Sequence, residues 1–378
     1  MQLTNISYHQ FPNDNRHWVL TSLDLQKINL IVGKNSSGKT RALNIINGLA
    51  AHISGRNQQL PVSMNYVAHF EDGGIKWTYE LSVAEKSVEF EKLTRGTDVL
   101  LERGNNGEGT IFSEEQQKML KFQSPQSVVA VFSRQDTLQH SYLSKLIEWA
   151  NGTFHYPFGR DFGQGFLAAQ LPTAPPPNLY DANQTTGIFM KGKKEFGSQY
   201  QDAIVADMRS IGYSVTAVGV MTPTTVEFTS SLPLTINCLF VQEDNLKSPT
   251  EQIDLSQGMF RALSIFIHLN YGLLSGSFGC ILIDDIGEGL DFERSNAVIK
   301  AIVSKIEGTN HQLLMTTNDR FVMNSVPLKY WSILDRRGPE VHVFNETNAG
   351  KKFEDFKFTG LSNFDFLATD FIHSADIN

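Results

Sequence analysis

Ile28-Asn29-Leu30-Ile31-Val32-Gly33-Lys34-Asn35-Ser36-Ser37-Gly38-Lys39-Thr40 is the stretch that decides the fold. Its first five residues form a short apolar run of the kind that makes a buried strand. Leu43, Ile46 and Leu49 then recur at helical spacing. Between strand and helix, Gly33 to Thr40 fits G-x-x-x-x-G-K-[ST] throughout. In this pattern the glycines let the backbone turn so that successive N–H groups point inward at phosphate oxygens. Lys39 would place its ammonium on β- and γ-phosphates, and the Thr40 hydroxyl would ligate Mg²⁺. The following helix adds its positive N-terminal end. A Gly/Ser turn joining strand to helix is the plain alternative, but the strand before and the amphipathic helix after favour the cradle. Gly33, Lys34, Asn35, Ser36, Ser37, Gly38, Lys39 and Thr40 are therefore the candidate nucleotide-binding residues.

A second acidic site lies far along the chain. Cys280-Ile281-Leu282-Ile283-Asp284-Asp285 reads as a buried strand ending in two carboxylates, like a Walker B strand. Ligands of open α/β sheets sit beyond the carboxyl ends of the strands. Asp284 would thus reach the Mg²⁺ region and Asp285 could position an attacking water. An aspartate pair capping the next helix is the alternative, weakened by the phosphate loop upstream.

With these motifs in place the chain resembles the ABC-type ATPase superfamily, nearest its non-transporter branch of SMC, RecF and related DNA-repair or defence ATPases. Leu255-Ser256-Gln257-Gly258 looks like the ABC signature and opens an apolar-faced helix through Met259, Leu263, Phe266 and Leu273. The resemblance implies that Ser256 and Gly258 contact the γ-phosphate of ATP bound to another subunit. Ile286-Gly287-Glu288-Gly289-Leu290-Asp291 resembles the segment ending in the D-loop, with Asp291 at the subunit contact. Met315-Thr316-Thr317-Asn318-Asp319 stands where the switch histidine follows a strand, so Asn318 takes that place. Glu288 is a rival to Asp285 as catalytic carboxylate. The motif-bearing parts cover about residues 1–50 and 250–335 in the family's order.

Several positions depart from that family pattern. Gln257 replaces the second signature glycine, and Met259 stands where a polar residue is common. Asp285 is one methylene shorter than the usual glutamate. Asn318 cannot carry a proton between about pH 5 and 8 as histidine can. For the Q-loop glutamine the candidates are Gln126 and Gln135, beside a short apolar strand expected at 128–132.

The implied fold is α/β: a P-loop ABC-type ATPase head with an antiparallel β lobe and a mixed α/β insert, without coiled-coil arms. Residues 1–65 and 250–350 would form the core, 66–115 the β lobe, 116–249 the insert and 351–378 a C-terminal docking segment. The lobe rests on runs at 67–71 and 75–83 flanking Asp72-Gly73-Gly74, then 87–93 and 98–101. In the insert, 151–192 is rich in Gly, Pro, Asn and Phe and reads as a long irregular loop. Helical spacing follows over 197–211, then strand-like runs at 214–221, 224–229 and 235–242. Thr40 and Ser256 lie 216 residues apart, too far for a compact transporter cassette. No heptads occur and Pro175, Pro176 and Pro177 are consecutive, which excludes long SMC-type arms. The relatives that fit are compact stand-alone ATPases of the RecF and OLD (overcoming-lysogenization-defect) kind, which work beside a nuclease or toxic effector.

Composition narrows the partners. Thirty-two Lys+Arg against forty Asp+Glu leave a formal charge of −8, so bulk charge will not coat DNA or an anionic membrane. Any DNA contact needs a local patch, and Lys191, Lys193 and Lys194 beside Phe189 and Phe196 are the candidates, against the alternative of a solvated loop. Two cysteines, Cys238 and Cys280, exclude a disulfide framework or Cys-rich zinc fold and suit a reducing compartment. Asn5, His9, Asp14 and Arg16 interrupt any N-terminal signal-like run, and no stretch is apolar enough to span a membrane. A cytoplasmic location is expected. His9, His17 and His52 lack metal-ligand spacing, Trp77 and Tyr79 read as lobe core, and the C-terminal phenylalanines read as docking residues. The expected activity is an ATP- and Mg²⁺-dependent, slowly hydrolysing switch. Its heads sandwich ATP as a homodimer or higher oligomer and control a separate nuclease or toxin in phage defence or DNA repair. A non-hydrolysing ATP-bound scaffold for such an effector is the alternative.

Overall fold

The computed structural model of the protein describes residues 1–170, 175–224 and 235–374. The chain opens with strands β1 (Gln2–Gln10), β2 (Trp18–Asp24) and β3 (Ile28–Gly33), then helix α1 (Lys39–Ile53). Six strands follow: β4 (Ser63–Asp72), β5 (Ile75–Ala84), β6 (Ser87–Arg95), β7 (Asp98–Arg103), β8 (Glu108–Ser113) and β9 (Lys118–Gln123). The middle holds α2 (Ala130–Ser133), α3 (Leu143–Asn151), β10 (Thr153–Pro157), β11 (Ala168–Gln170), α4 (Thr185–Ser210), β12 (Val215–Met221), β13 (Thr235–Glu243) and β14 (Thr250–Glu251). Next come α5 (Gln257–Ser275), β15 (Cys280–Asp284), α6 (Phe292–Glu307), β16 (Gln312–Thr316) and α7 (Arg320–Ser325). The chain closes with β17 (Trp331–Arg337), β18 (Glu340–Asn345), α8 (Glu346–Lys357) and α9 (Asn363–Ala368).

Two compact units divide these elements. The first comprises Met1–Phe154, Gly279–Leu282 and Asn310–Asn378. Its sheet runs in the order β15-β16-β3-β17-β18-β2-β1-β4-β5-β6-β7-β8-β9. β3 is paired in parallel with β16 on one edge and β17 on the other, and all six of its residues are buried. That double burial explains its unbroken apolar run. From β1 to β9 the pairing is antiparallel and the strands alternate, with Met64, Tyr66, Ala68 and Phe70 inward on β4 and Trp77, Tyr79, Leu81 and Val83 inward on β5. α1 lays Leu43, Ile46, Leu49 and Ile53 into the same core, and α3 packs beside it. Phe353, Phe356 and Phe366 are buried together with ring centroids 4.7–4.8 Å apart, whereas Phe358 is 84% exposed.

The run expected as a strand at 128–132 instead contains the helix α2. The cause is a buried carboxylate. Glu91 on β6 accepts from the N–H groups of Ala130 (2.7 Å) and Val131 (2.9 Å), fixing a helix start that an extended chain could not offer. The same carboxylate takes the Tyr79 hydroxyl and pairs with Arg103, both ion-pair partners being 0% exposed. Arg103 in turn donates to the carbonyls of Pro125 and Val128.

The second unit comprises His155–Phe278 and Ile283–Thr309. Its small sheet has the order β11-β13-β12, with β14 also on β13. α4 packs on α5, which is buried nearly all round from Gly258 to Gly272, as an interior helix should be. Asp207 on α4 accepts from Asn270 of α5 (2.6 Å) and pairs with Lys305 of α6 (2.9 Å), and burial raises its pKa. The irregular loop expected over 151–192 contains β10, β11 and the first turns of α4. Gly187 and Gly192 hid that helix from a propensity reading, yet Ile188 and Phe189 are fully buried on it and Gly192 lies against the Tyr200 ring. α4 breaks at Gly197 (φ 59°), so the helical spacing from 197 belongs to its second segment. The strand expected at 224–229 lies, beyond Thr224, outside the described residues.

Two stability tests follow from buried polar groups. Arg103→Met strands the Glu91 carboxylate and should cost about 3–5 kcal/mol, whereas Glu91→Gln with Arg103→Met should cost less, as urea melts would show. His268 is 2% exposed among Tyr156, Phe162 and Thr185, and burial lowers its pKa to about 4. The unfolded chain takes up that proton near 6.5 and the folded chain does not, so stability falls as pH drops from there toward 4. The loss amounts to about 3 kcal/mol, and His268→Gln should remove it from melts compared at about pH 7 and about pH 4.

Candidate active site

The first unit holds the candidate phosphate loop. β3 ends at Gly33, and α1 starts at Lys39 with Gly38 at its N-cap in a left-handed conformation (φ 107°) that a side chain would disfavour. A β-carbon on Gly38 would also stand 3.1 Å from the Trp18 ring. No side chain caps α1 and no acidic residue occupies its first turn, which leaves its positive end facing the loop. Lys39 is only 6% exposed, and its ammonium donates to the carbonyls of Gly33 (2.9 Å) and Lys34 (3.3 Å). The Ser37 hydroxyl is buried with no hydrogen-bond partner. A buried cation and an orphaned hydroxyl at a helix N-terminus fit a phosphate group, whose oxygens would satisfy both.

Asn318 follows β16, the parallel neighbour of β3, and emerges exposed at the same edge of the sheet as the loop. A cavity of about 340 Å³ is lined by Lys34–Ser37 together with the C-terminal residues Leu367 and Asp370. Lys34 and Asp370 face each other at 3.6 Å there, and Arg336 donates to the Ser36 carbonyl. Arg41, one residue past the motif, stacks its guanidinium 4.0 Å over the Trp18 ring.

The second unit holds the other candidates. Asp284 ends β15 and is 7% exposed; Asp285 follows, half-buried, with a left-handed backbone (φ 53°). Carboxylate and hydroxyl oxygens, as on Asp284 and Thr40, are the hard donors that Mg²⁺ takes. His155 lies near Asp284; burial lowers its pKa while the aspartate charge pulls it up. Ser256 caps α5 by accepting from the Met259 N–H (3.3 Å). Gly258 packs so closely on the turn after β15 that a β-carbon would sit 2.5 Å from the Gly289 carbonyl oxygen. Glu288 is exposed, and its carbonyl accepts from Arg261. Asp291 caps α6 through the Arg294 N–H, and the Arg294 side chain also pairs with it, lowering its pKa.

Three groups escaped the sequence reading. Gly159 and Gln164 lie in the loop after β10, the strand that neighbours β15. Gly159 donates to the Asp284 carbonyl (3.3 Å), and the Gln164 amide donates to the Gln252 and Leu255 carbonyls just before Ser256. Gln126 and Gln135 are instead exposed residues flanking α2. Arg261, four residues into α5, is the third, and only its proximity to Ser256 in sequence could have flagged it. The basic run lies on α4 rather than in a loop. Lys191 is engaged by Glu195 and the Tyr271 ring and Phe189 is buried, so Lys193 and Lys194 are its exposed members. Among the described residues no His/Cys/Asp/Glu cluster could hold a metal alone, and no helix is long and apolar enough to cross a membrane.

No protein-family model matches the chain, and no curated protein matches it in sequence. Solved structures do. An SMC head bound to the C-winged helix domain of ScpA is similar with a TM-score of 0.51 and 12% identity, over 93% of this chain and 100% of that one. Weaker likenesses are the SMC head domain from Thermotoga maritima (TM-score 0.44, 13% identity, 91% and 99% covered) and an SMC head with an extended coiled coil bound to the C-terminal domain of ScpA from Pyrococcus furiosus (0.49, 9%, 94% and 100%). At such identities the likeness concerns the fold alone: the chain folds like an SMC head.

Proposed function

We propose that the chain binds ATP with Mg²⁺ and works as a slow ABC-type ATPase switch, closing in pairs of heads to control a separate effector protein. The observation that carries this reading is the buried Lys39 ammonium beside the unpartnered Ser37 hydroxyl at the open end of α1. Lys39 would balance β/γ-phosphate charge while the N–H groups opening α1 orient the phosphates. Thr40 and Asp284 would hold Mg²⁺, which when bound offsets charge developing on the phosphoryl oxygens. Asp285 would orient the attacking water, with Asn318 adding an amide hydrogen bond but no mobile proton. Ser256 and Gly258 would meet the nucleotide of a second copy, with Asp291 at that contact, giving a homodimer or higher oligomer.

The SMC head in the ScpA complex was solved with a bound protein, which supports a separate partner here. A nuclease or toxin in bacterial anti-phage defence or DNA repair is the partner class that suits such a switch, in the cytoplasm. DNA contact would fall to Lys193 and Lys194. A second reading, a non-hydrolysing ATP-bound scaffold, draws on one observation: Asp285 carries a short carboxylate on a left-handed backbone.

ATP titration calorimetry and light scattering test the switch together. Lys39→Ala should lose about ten- to a hundredfold in ATP affinity, the worth of a charged hydrogen bond of about 1.5–3 kcal/mol. Ser256→Arg should keep that affinity and lose ATP-dependent dimerisation. Wild-type affinity in Lys39→Ala would remove the phosphate loop from the argument, and normal dimerisation of Ser256→Arg would remove the paired heads. Turnover assays address the chemistry. Asp285→Asn should bind ATP yet remain closed, with Glu288→Gln losing less activity; the reverse order transfers the role to Glu288. A wild type that binds ATP with no measurable turnover favours the scaffold.

A further inference from the structure

Arg261 leaves the second turn of α5 and spends its guanidinium on backbone oxygens. Nε donates to the Arg160 carbonyl at 3.0 Å, Nη2 to the Gly159 carbonyl at 3.3 Å and Nη1 to the Glu288 carbonyl at 2.9 Å. Among the described residues it pairs with no carboxylate. A rigid planar fork with five donors can satisfy three fixed acceptors at once, which a lysine on its flexible stem cannot. The acceptors belong to two separate loops, one after β10 and one after β15.

Both loops bear on Asp285. The Gly159 N–H donates to the Asp284 carbonyl, and a β-carbon on Gly159 would stand 3.0 Å from Asp285 Cβ and 3.3 Å from its Oδ2. On the other side the Glu288 N–H donates to the Asp285 carbonyl (3.2 Å), closing the turn whose outer carbonyl Arg261 holds. One turn earlier on the same helix, Gly258 rests on Gly289. The first turns of α5 therefore grip the segment following β15 at two points and brace the loop that backs Asp285.

We infer that Arg261 is a positioning residue for Asp285, making the setting of that carboxylate depend on the helix that begins at Ser256. The inference rests on the proposed role of Asp285 in orienting water. A carboxylate displaced by about 1 Å loses on the order of a hundredfold in rate, so a clamp of this kind would act on chemistry far more than on binding. A partner head meeting Ser256 would then report to Asp285 through Arg261, with no contact of its own to the carboxylate.

The test compares the full-length wild type with Arg261→Ala and Arg261→Lys, using ATP calorimetry, single-turnover hydrolysis and amide hydrogen exchange over residues 157–162 and 284–291. Arg261→Ala should bind ATP within about twofold of wild type, hydrolyse it about ten- to a hundredfold more slowly, and exchange faster in both loops together. Arg261→Lys should recover part of the rate. Unchanged exchange in either loop, or affinity and rate falling in equal measure, overturns the inference. If the alanine variant does not fold, exchange and rate in Arg261→Lys decide by the same criteria. A wild type that binds ATP without hydrolysing it would instead fail the reading of Asp285, and the exchange measurement would still decide whether Arg261 holds the two loops.

Discussion

β3 is buried on both faces and paired along both edges with parallel strands, and the loop from Gly33 to Gly38 depends on that confinement. A strand so enclosed can offer only its end to a ligand. The chain must turn sharply at Gly33 and re-enter the core as α1, whose apolar stripe fixes its axis. The helix start, the N–H groups without a side-chain cap and the buried Lys39 ammonium are thereby set in place by packing alone. Burying an ammonium is costly unless it is paired or hydrogen-bonded, and the Gly33 and Lys34 carbonyls offset part of that cost. They are weaker partners than a phosphate would be, which leaves the lysine able to exchange them.

How much of this was legible from residues alone varied with the range of the interactions. The β3–loop–α1 unit was fully legible, because an apolar run, a glycine-framed turn and a helical stripe are all local signals. β4 and β5 were legible from alternation around Asp72-Gly73-Gly74. α2 was not: its start is written in Glu91, thirty-nine residues away, and no window of sequence joins them. The first half of α4 was hidden by Gly187 and Gly192, where close packing of the one on Pro177 and of the other on Tyr200 outweighs poor helix propensity. The candidate site divided in the same way. Ser256, Gly258, Asp284 and Asp285 stood out by type and spacing, but Gly159, Gln164 and Arg261 act through backbone carbonyls, which every residue has and no sequence pattern marks.

In the second unit, polar groups are used in place of bulk to tie helices together. Asp207, Asn270 and Lys305 come from α4, α5 and α6, and each bonds to both of the others. A buried network of this kind is valuable only when complete, because each missing partner leaves a desolvated charge or amide. α5 carries Arg261 and Gly258 at its start and Asn270 near its end, so both ends of this helix are anchored.

The left-handed backbone at Asp285 has a consequence for evolution at that position. Aspartate and asparagine enter this region of dihedral space more readily than longer or branched residues do. Lengthening the side chain to glutamate would extend its reach by one carbon while asking a less tolerant residue to hold the same φ. The aspartate is then a backbone preference expressed as a side-chain choice, and further reach at this position would come from moving the peptide rather than from changing the residue. If Asp285 orients water as proposed, a lineage under selection for faster chemistry would relax the turn around it first and change the acid second.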